Sequence, residues 1–516
     1  MKYEFRSIKT NSMKRYLIIS LIALFAFGCT KTQKKGTQDE LATPLEQHYF
    51  NKLTSYAELV GYLEKITEKS DQIALDYVGK SVEGKRLPLL KVARSGNWDN
   101  DRLTVFFFAQ QHGDEPSGKE GMLLLLRDLA RGIHNDWLDH ANILIMPQVN
   151  PDGAELNKRH NAKGTDLNRD HLIMSSPEVQ AVHWVFEEYK PEMTVDVHEY
   201  DPYSTSWRSF GYLKNFDIQL GGLTNKNVDP RLKKLFKNAA LPFVGEYVKE
   251  KGYSFFEYTL GDFPSGGRLR HSTVDINDGR QSLGILNTLS FIVEGKYGKD
   301  SVDQLERRAK SQLRTAKGLI LFAVNNETKI QKTVHKAREE LKEVEKGDKV
   351  AIRMHHTKGE NALKYPLRSM KSGNDTVFHV KKFHSDIVSV LDVKRPSGYL
   401  VPVSDKKLVE WMNRNYITYH DFNPDHTYKI RQYNIQKINR QVDEGLENYY
   451  PKVEQVVYPK QIHSGDYFFV PISQLRSNKI VTALEPQSMI GLVNYPSFEY
   501  LLLNNENYPV LRLIAS

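Results

Sequence analysis

Apolar residues are distributed in two textures along this chain. From about Tyr49 to Asn326, helix-like and strand-like patterns alternate. Ser55–Lys69 carries apolar residues at helical spacing, while Leu103–Gln110 and Ile143–Val149 are short unbroken apolar runs bounded by turn residues, the signature of buried strands. Between those runs, Gly121–Ala130 reads as a mostly buried helix. Pro177–Lys190 reads as a helix with proline in its first turn, and Arg231–Lys251 as one that Pro242 and Gly245 should interrupt. Ser301 to about Val344, rich in Lys, Glu, Arg and Leu, predicts one long or two consecutive helices. The alternation predicts a three-layer α/β/α domain with a mixed sheet over residues 47–330. From Lys349 the texture changes: short Val/Ile/Phe/Tyr runs such as Asp375–Val380 and Thr427–Ile435 alternate with turns, broken by one helical stretch, Ser404–Asn413. That pattern predicts a smaller β-rich domain over 349–516. No internal repeat is visible.

Three of the apolar runs stop at residues suited to holding or activating a metal ion. Leu103–Gln111 is followed at once by His112-Gly-Asp-Glu115, Met193–Val197 by His198, and Leu289–Val293 by Glu294. In an open α/β sheet, ligands sit at the carboxyl ends of the strands, so these residues can meet at one point. Two histidines and a glutamate, with one vertex left for water, form a common catalytic zinc set. One more carboxylate beside them can accept the proton of that water. An isolated H-x-x-E would count for little; here the following segments add Asn150-Pro-Asp-Gly153, Arg159 and Asp166-Leu-Asn-Arg169. His355, His356, His379 and His384 lack carboxylates or cysteines at ligand spacing and read as ordinary surface or strand positions.

Composition narrows the picture at the N-terminus. The net charge is +9, but Lys2, Arg6, Lys9, Lys14 and Arg15 face only Glu4 in the first 28 residues. The remainder, spread over so long a chain, does not argue for nucleic acid. The single cysteine, Cys29, follows Lys14-Arg15 and the apolar run 16–28, which is too short to span a bilayer and suits a signal-peptide core. A lone Cys after such a run resembles a bacterial lipoprotein cleavage site. The expectation is a signal peptide over 1–28, a lipid anchor on Cys29, a polar tether over 29–46, and a place in the bacterial cell envelope.

With these motifs in order, the chain resembles the zinc carboxypeptidase family, the carboxypeptidase A-like metallopeptidases. The likeness extends over roughly 47–330 and includes Val78–Leu87, H-x-x-E, N-P-D-G, the string from Arg159 to Arg169, D-V-H at Asp196–His198, and the strand carrying Glu294. It implies one zinc ion on His112, Glu115 and His198, with Glu294 as general base for a zinc-activated water. It further implies that Arg159 stabilises the oxyanion, Asn168 and Arg169 grip a substrate's terminal carboxylate, and Asp166 orients His112. The activity implied is hydrolysis of C-terminal peptide bonds. Many members carry a mobile Tyr about twenty residues before the catalytic Glu; here 272–290 contains none, the nearest upstream being Tyr258. Arg280 is the candidate to take over part of substrate recognition. Two alternatives stay open: an amidohydrolase acting on muropeptides or N-acyl amino acids with the same zinc chemistry, and a catalytically silent peptide-binding lipoprotein.

Overall fold

In a computed structural model of the chain, residues 39–262, 268–343, 348–424, 428–443, 446–503 and 506–515 are described; the signal run, Cys29 and most of the tether lie outside them. Residues 43–516 form one compact unit.

Its centre is an eight-stranded mixed sheet built from β1 (Ile73–Lys80), β2 (Arg86–Val92), β3 (Leu103–Ala109), β4 (Ala141–Met146), β5 (Met193–Tyr200), β7 (Ile218–Gly221), β8 (Phe255–Glu257) and β9 (Leu289–Lys296). Their spatial order is β1-β2-β4-β3-β5-β9-β7-β8. The inner strands β4, β3, β5 and β9 run parallel, and β2 and β7 flank them antiparallel. Every residue of β3 and β4 is buried, as expected of strands covered on both faces. The helix Ser117–Ala130 packs on β3 and β5, and Leu305–Asn325 packs on that helix and on β9. The charged stretch after Ser301 is thus two consecutive helices, Leu305–Asn325 and Glu327–Lys342.

The helix expected over Arg231–Lys251 is present, with an irregularity before its proline. Helical segments Pro230–Leu235 and Leu241–Lys249 are joined by a π-turn over Phe236–Ala240. Pro242 has no N–H to donate and its ring crowds the preceding turn, so the ladder widens there instead of breaking.

The β-rich texture of the C-terminal region also appears, as several small sheets. The largest contains six strands; another pairs β10 (Lys349–Thr357) with β13 (Asp386–Lys394). A third joins the two regions: β6 (Tyr212–Lys214), which lies between β5 and β7 in sequence, pairs with β11 (Leu363–Ser369), and β11 pairs with β12 (Asp375–Val380). The contact is filled by Trp207, Phe216, Tyr365, Leu367 and Val380. Elsewhere, buried Trp411 and Lys479 donate hydrogen bonds to the carbonyls of Leu172 and His171, at 2.9 and 3.0 Å.

Candidate active site

The carboxyl ends of β3, β5 and β9 converge as their sequence predicts. His198 and Glu294 stand opposite each other on adjacent parallel strands. His112 and Glu115 occupy the turn after β3, and a glycine at position 113 makes that turn possible. A Cβ at Gly113 would lie 2.1 Å from the Gly153 carbonyl carbon and 2.5 Å from the Lys158 oxygen. The H-G-D-E turn therefore sits directly on the N-P-D-G turn, where Asn150 accepts a hydrogen bond from Gly153 N. Gly113 N in turn donates to Arg159 O, which fixes the arginine beside the first histidine.

His112, Glu115 and His198 form one buried cluster with possible ligand atoms within 4.8 Å of one another. Both histidines present Nδ1 to the carboxylate: His112 Nδ1 is 2.7 Å from Glu115 Oε1, and His198 Nδ1 is 2.9 Å from Glu115 Oε2. The two Nδ1 atoms are 3.2 Å apart. A tetrahedral zinc with bonds of about 2.0–2.2 Å would space its ligand atoms by about 3.3 Å, so a few tenths of an ångström of outward movement admits the ion. The donor set fits: two imidazole nitrogens facing one carboxylate are satisfied together by a dication. Burial alone would raise the Glu115 pKa, but the two imidazoles hold its carboxyl well below the usual range.

The far nitrogen of each histidine is held by a carboxylate. His112 Nε2 lies 3.1 Å from Asp166 Oδ1, the partner expected from the sequence. His198 Nε2 lies 2.7 Å from Asp196 Oδ1, a partner that the sequence reading had not assigned. Its signal was available: Asp196 is a charged residue inside an apolar strand, two positions before His198 and hence on the same face. Gln111 Nε2 donates to the same Asp196 oxygen at 2.8 Å. Such outer partners fix the tautomer and ring direction of a ligand histidine. Beneath the cluster, Gln312 Nε2 donates to His198 O at 2.9 Å, and Arg308 forms a buried pair with Glu199.

Glu294 is treated differently. It is 7% exposed and has no hydrogen-bond or ion-pair partner among the described residues. A structural pair with Lys296 is not formed; Lys296 Nζ donates to Asn215 Oδ1 at 2.8 Å. Burial pushes the Glu294 pKa up to about 7. A bare buried carboxyl titrating near neutrality beside a metal-type cluster is a candidate general base.

These groups line one cavity of about 960 Å³, which also holds Arg159, Asn168, Arg169, Tyr258 and Arg280. Arg159 is about 39% exposed by side chain, donates Nε to Asp166 at 3.0 Å and brings Nη1 to 3.4 Å from Glu115. Asn168 accepts from Gly279 N through Oδ1 at 2.8 Å and brings Nδ2 to 3.2 Å from His198 Nε2. Arg169 Nη1 donates to Asn168 O, which ties the guanidinium to the backbone of its neighbour. Arg280 is fully buried; its terminal nitrogens donate to Ser272, Thr273 and Asp278, and only Nε lacks a partner among the described residues. Tyr258 lines the cavity despite its distance in sequence from Glu294, with Arg280 Cζ 5.7 Å from its ring centroid.

The chain is similar in sequence to known carboxypeptidases. Residues 59–244 match the model of the zinc carboxypeptidase family. Carboxypeptidase 2 of Trichophyton rubrum is 25% identical over 95% of this chain and 90% of its own length. Carboxypeptidase E of Caenorhabditis elegans is 32% identical over a shorter stretch, 31% of this chain and 36% of its own. The solved structure of thrombin activatable fibrinolysis inhibitor overlays with a TM-score of 0.43 at 17% identity, covering 56% of this chain and 81% of that one, too slight a likeness to add to the fold described above.

Proposed function

The chain belongs to the zinc carboxypeptidase family, a zinc metallopeptidase of the carboxypeptidase type, and from that premise we propose that it hydrolyses the C-terminal peptide bond of peptides bound in the cavity at the ends of β3, β5 and β9. The observation that carries this reading is Glu294: buried, without a partner among the described residues, and opposite His198 of the ligand cluster.

His112, Glu115 and His198 would hold the ion. When bound, zinc polarises the scissile carbonyl and lowers the pKa of water toward about 7. Glu294 accepts a proton on its carboxylate from the attacking water and returns it to the leaving amine. Arg159, half open to the cavity and anchored on Asp166, offers a guanidinium N–H to the oxyanion. Arg169, braced by Asn168, receives the substrate's terminal carboxylate, which a planar guanidinium can grip through two parallel bonds. Completeness of the ligand set and of the base favours an active enzyme over a silent binding protein.

The N-terminal run 16–28 and Cys29 support the further proposal that the enzyme is exported and lipid-anchored at a bacterial cell envelope. Mass analysis of the mature N-terminus, with Cys29→Ala as control, tests that part. The activity is tested by offering one peptide with a free and with an amidated C-terminus. Release of single terminal residues from the free form alone supports the reading, provided that a chelator stops it and zinc restores it. Equal cleavage of the amide, or cutting at internal bonds, would contradict it.

A further inference from the structure

The cavity contains a cation that the reaction above does not use. Lys214 ends β6, the short strand drawn out of the central region to pair with β11, where Lys214 is opposite Leu367 and Leu213 opposite Arg368. This pairing places Lys214 in the wall of the cavity that holds Glu294. The residue is 9% exposed, and among the described residues its ammonium has no hydrogen bond or ion pair. On one side Nζ is 5.5 Å from the centroid of the Trp207 ring. The charges that act on it are Glu294, Asp262 and Asp201, and burial outweighs them, pulling its pKa down to about 8.

Arg208 and Lys299, which also line the cavity, are exposed to solvent, and its three remaining arginines are engaged. Arg280 is tied to Asp278, Arg159 to Asp166 and Glu115, and Arg169 lies among Asp166, Asp275 and Asp278. Lys214 differs in being nine-tenths buried with, among the described residues, no partner that accepts its protons. A buried charge left unpaired is costly, so an incoming group of opposite charge gains more there than at a solvated surface. In a peptide-binding cavity the group of matching chemistry is a carboxylate. The terminal carboxylate is assigned to Arg169, which sits among a different set of charges from Lys214. A second carboxylate must then come from a side chain.

We propose that Lys214, positioned by the C-terminal region through the β6–β11 pairing, is a specificity-determining residue that binds an acidic side chain of the substrate, selecting peptides with Glu or Asp at, or next to, the scissile bond. The proposal rests on the carboxypeptidase reading given above. It assigns the β11–β12 hairpin a part in substrate choice, because that hairpin holds the strand that carries the cation.

The test is a set of N-blocked dipeptides in matched pairs: Ala-Glu against Ala-Gln for the terminal residue, and Glu-Ala against Gln-Ala for the one before it. Glu and Gln are nearly isosteric, so their ratio of kcat/KM reads charge recognition alone. One desolvated ion pair implies a preference of about thirtyfold for the acidic member of one pair. In Lys214→Met that ratio should collapse toward one, and in Lys214→Glu the preference should turn toward Ala-Lys or Lys-Ala. A wild-type ratio near one in both pairs, or a ratio unchanged in Lys214→Met, overturns the proposal. So does a Lys214→Met effect that is equal for all substrates and accompanied by a shifted acid limb of the pH profile, since Lys214 would then act on Glu294. Calorimetric binding of the same peptides to Glu294→Gln separates the two readings. Preferential binding of the acidic peptide without hydrolysis by the wild type would remove the carboxypeptidase reading and leave Lys214 standing; equal binding removes Lys214.

Discussion

Opposite each other on β5 and β9 stand His198 and Glu294, both buried, and the protein surrounds them in opposite ways. His198 is held on every side: Asp196 at one nitrogen, Glu115 at the other, Gln312 on its carbonyl. Glu294 is left bare among the described residues. The difference follows from what each must do. A ligand must point one way before the ion arrives, and orienting partners remove the entropy of searching. A base must change protonation state during turnover, and a permanent cation partner would hold its pKa far below the working range. Burial without a partner does the reverse, and the Glu294 pKa rises to about 7.

The ligand side of this comparison should break most completely. His112→Ala removes one of three ligands, so both metal content and turnover should be lost; full zinc occupancy in that variant would mean that the ligand set is wrong. The orienting partners should matter less but measurably. Asp196→Asn keeps the shape and removes the charge on the far side of His198, and zinc affinity should fall by about 10–100-fold in competition titrations. An unchanged affinity would show that Asp196 is only a buried polar group. Asp166→Asn should act in the same range through His112, with some added loss because Arg159 leans on the same carboxylate.

On the base side, the expected effect is a displacement along the pH axis. Glu294 is active when ionised, so kcat/KM should fall as pH drops through its pKa. The nearby dication favours the carboxylate, which sets the acid limb below about 7 in the loaded enzyme. A pH profile flat from 5 to 8, measured with zinc bound throughout, would remove Glu294 from the role of base.

Much of this was legible in the sequence because it is local. Strand ends are marked by apolar runs stopping at His112, His198 and Glu294, and the sheet order then brings them together. The irregularity beside Pro242 was legible too, although the helix Leu241–Lys249 runs unbroken through Gly245, where an interruption was also expected; the i, i+2 placement of Asp196 against His198 was visible in principle. What could not be read is the pairing of β6 with β11, about 150 residues apart in sequence. Neither strand carries a mark naming its partner, so the place of Lys214 in the cavity follows only from the assembled fold. Tyr258 teaches the same lesson. Its spacing from Glu294 departs from the expected twenty residues, yet β8 ends beside β7, and the next residue lines the cavity.

The most direct test of the contrast between held ligand and bare base is to measure zinc content and turnover together in Glu294→Gln. The substitution keeps the shape and removes the ionisable proton acceptor. The expected result is one zinc per chain, as in the wild type, with kcat reduced by about 10²–10⁴-fold. Loss of zinc from that variant, or turnover within a few-fold of wild type, would contradict the division of labour between His198 and Glu294.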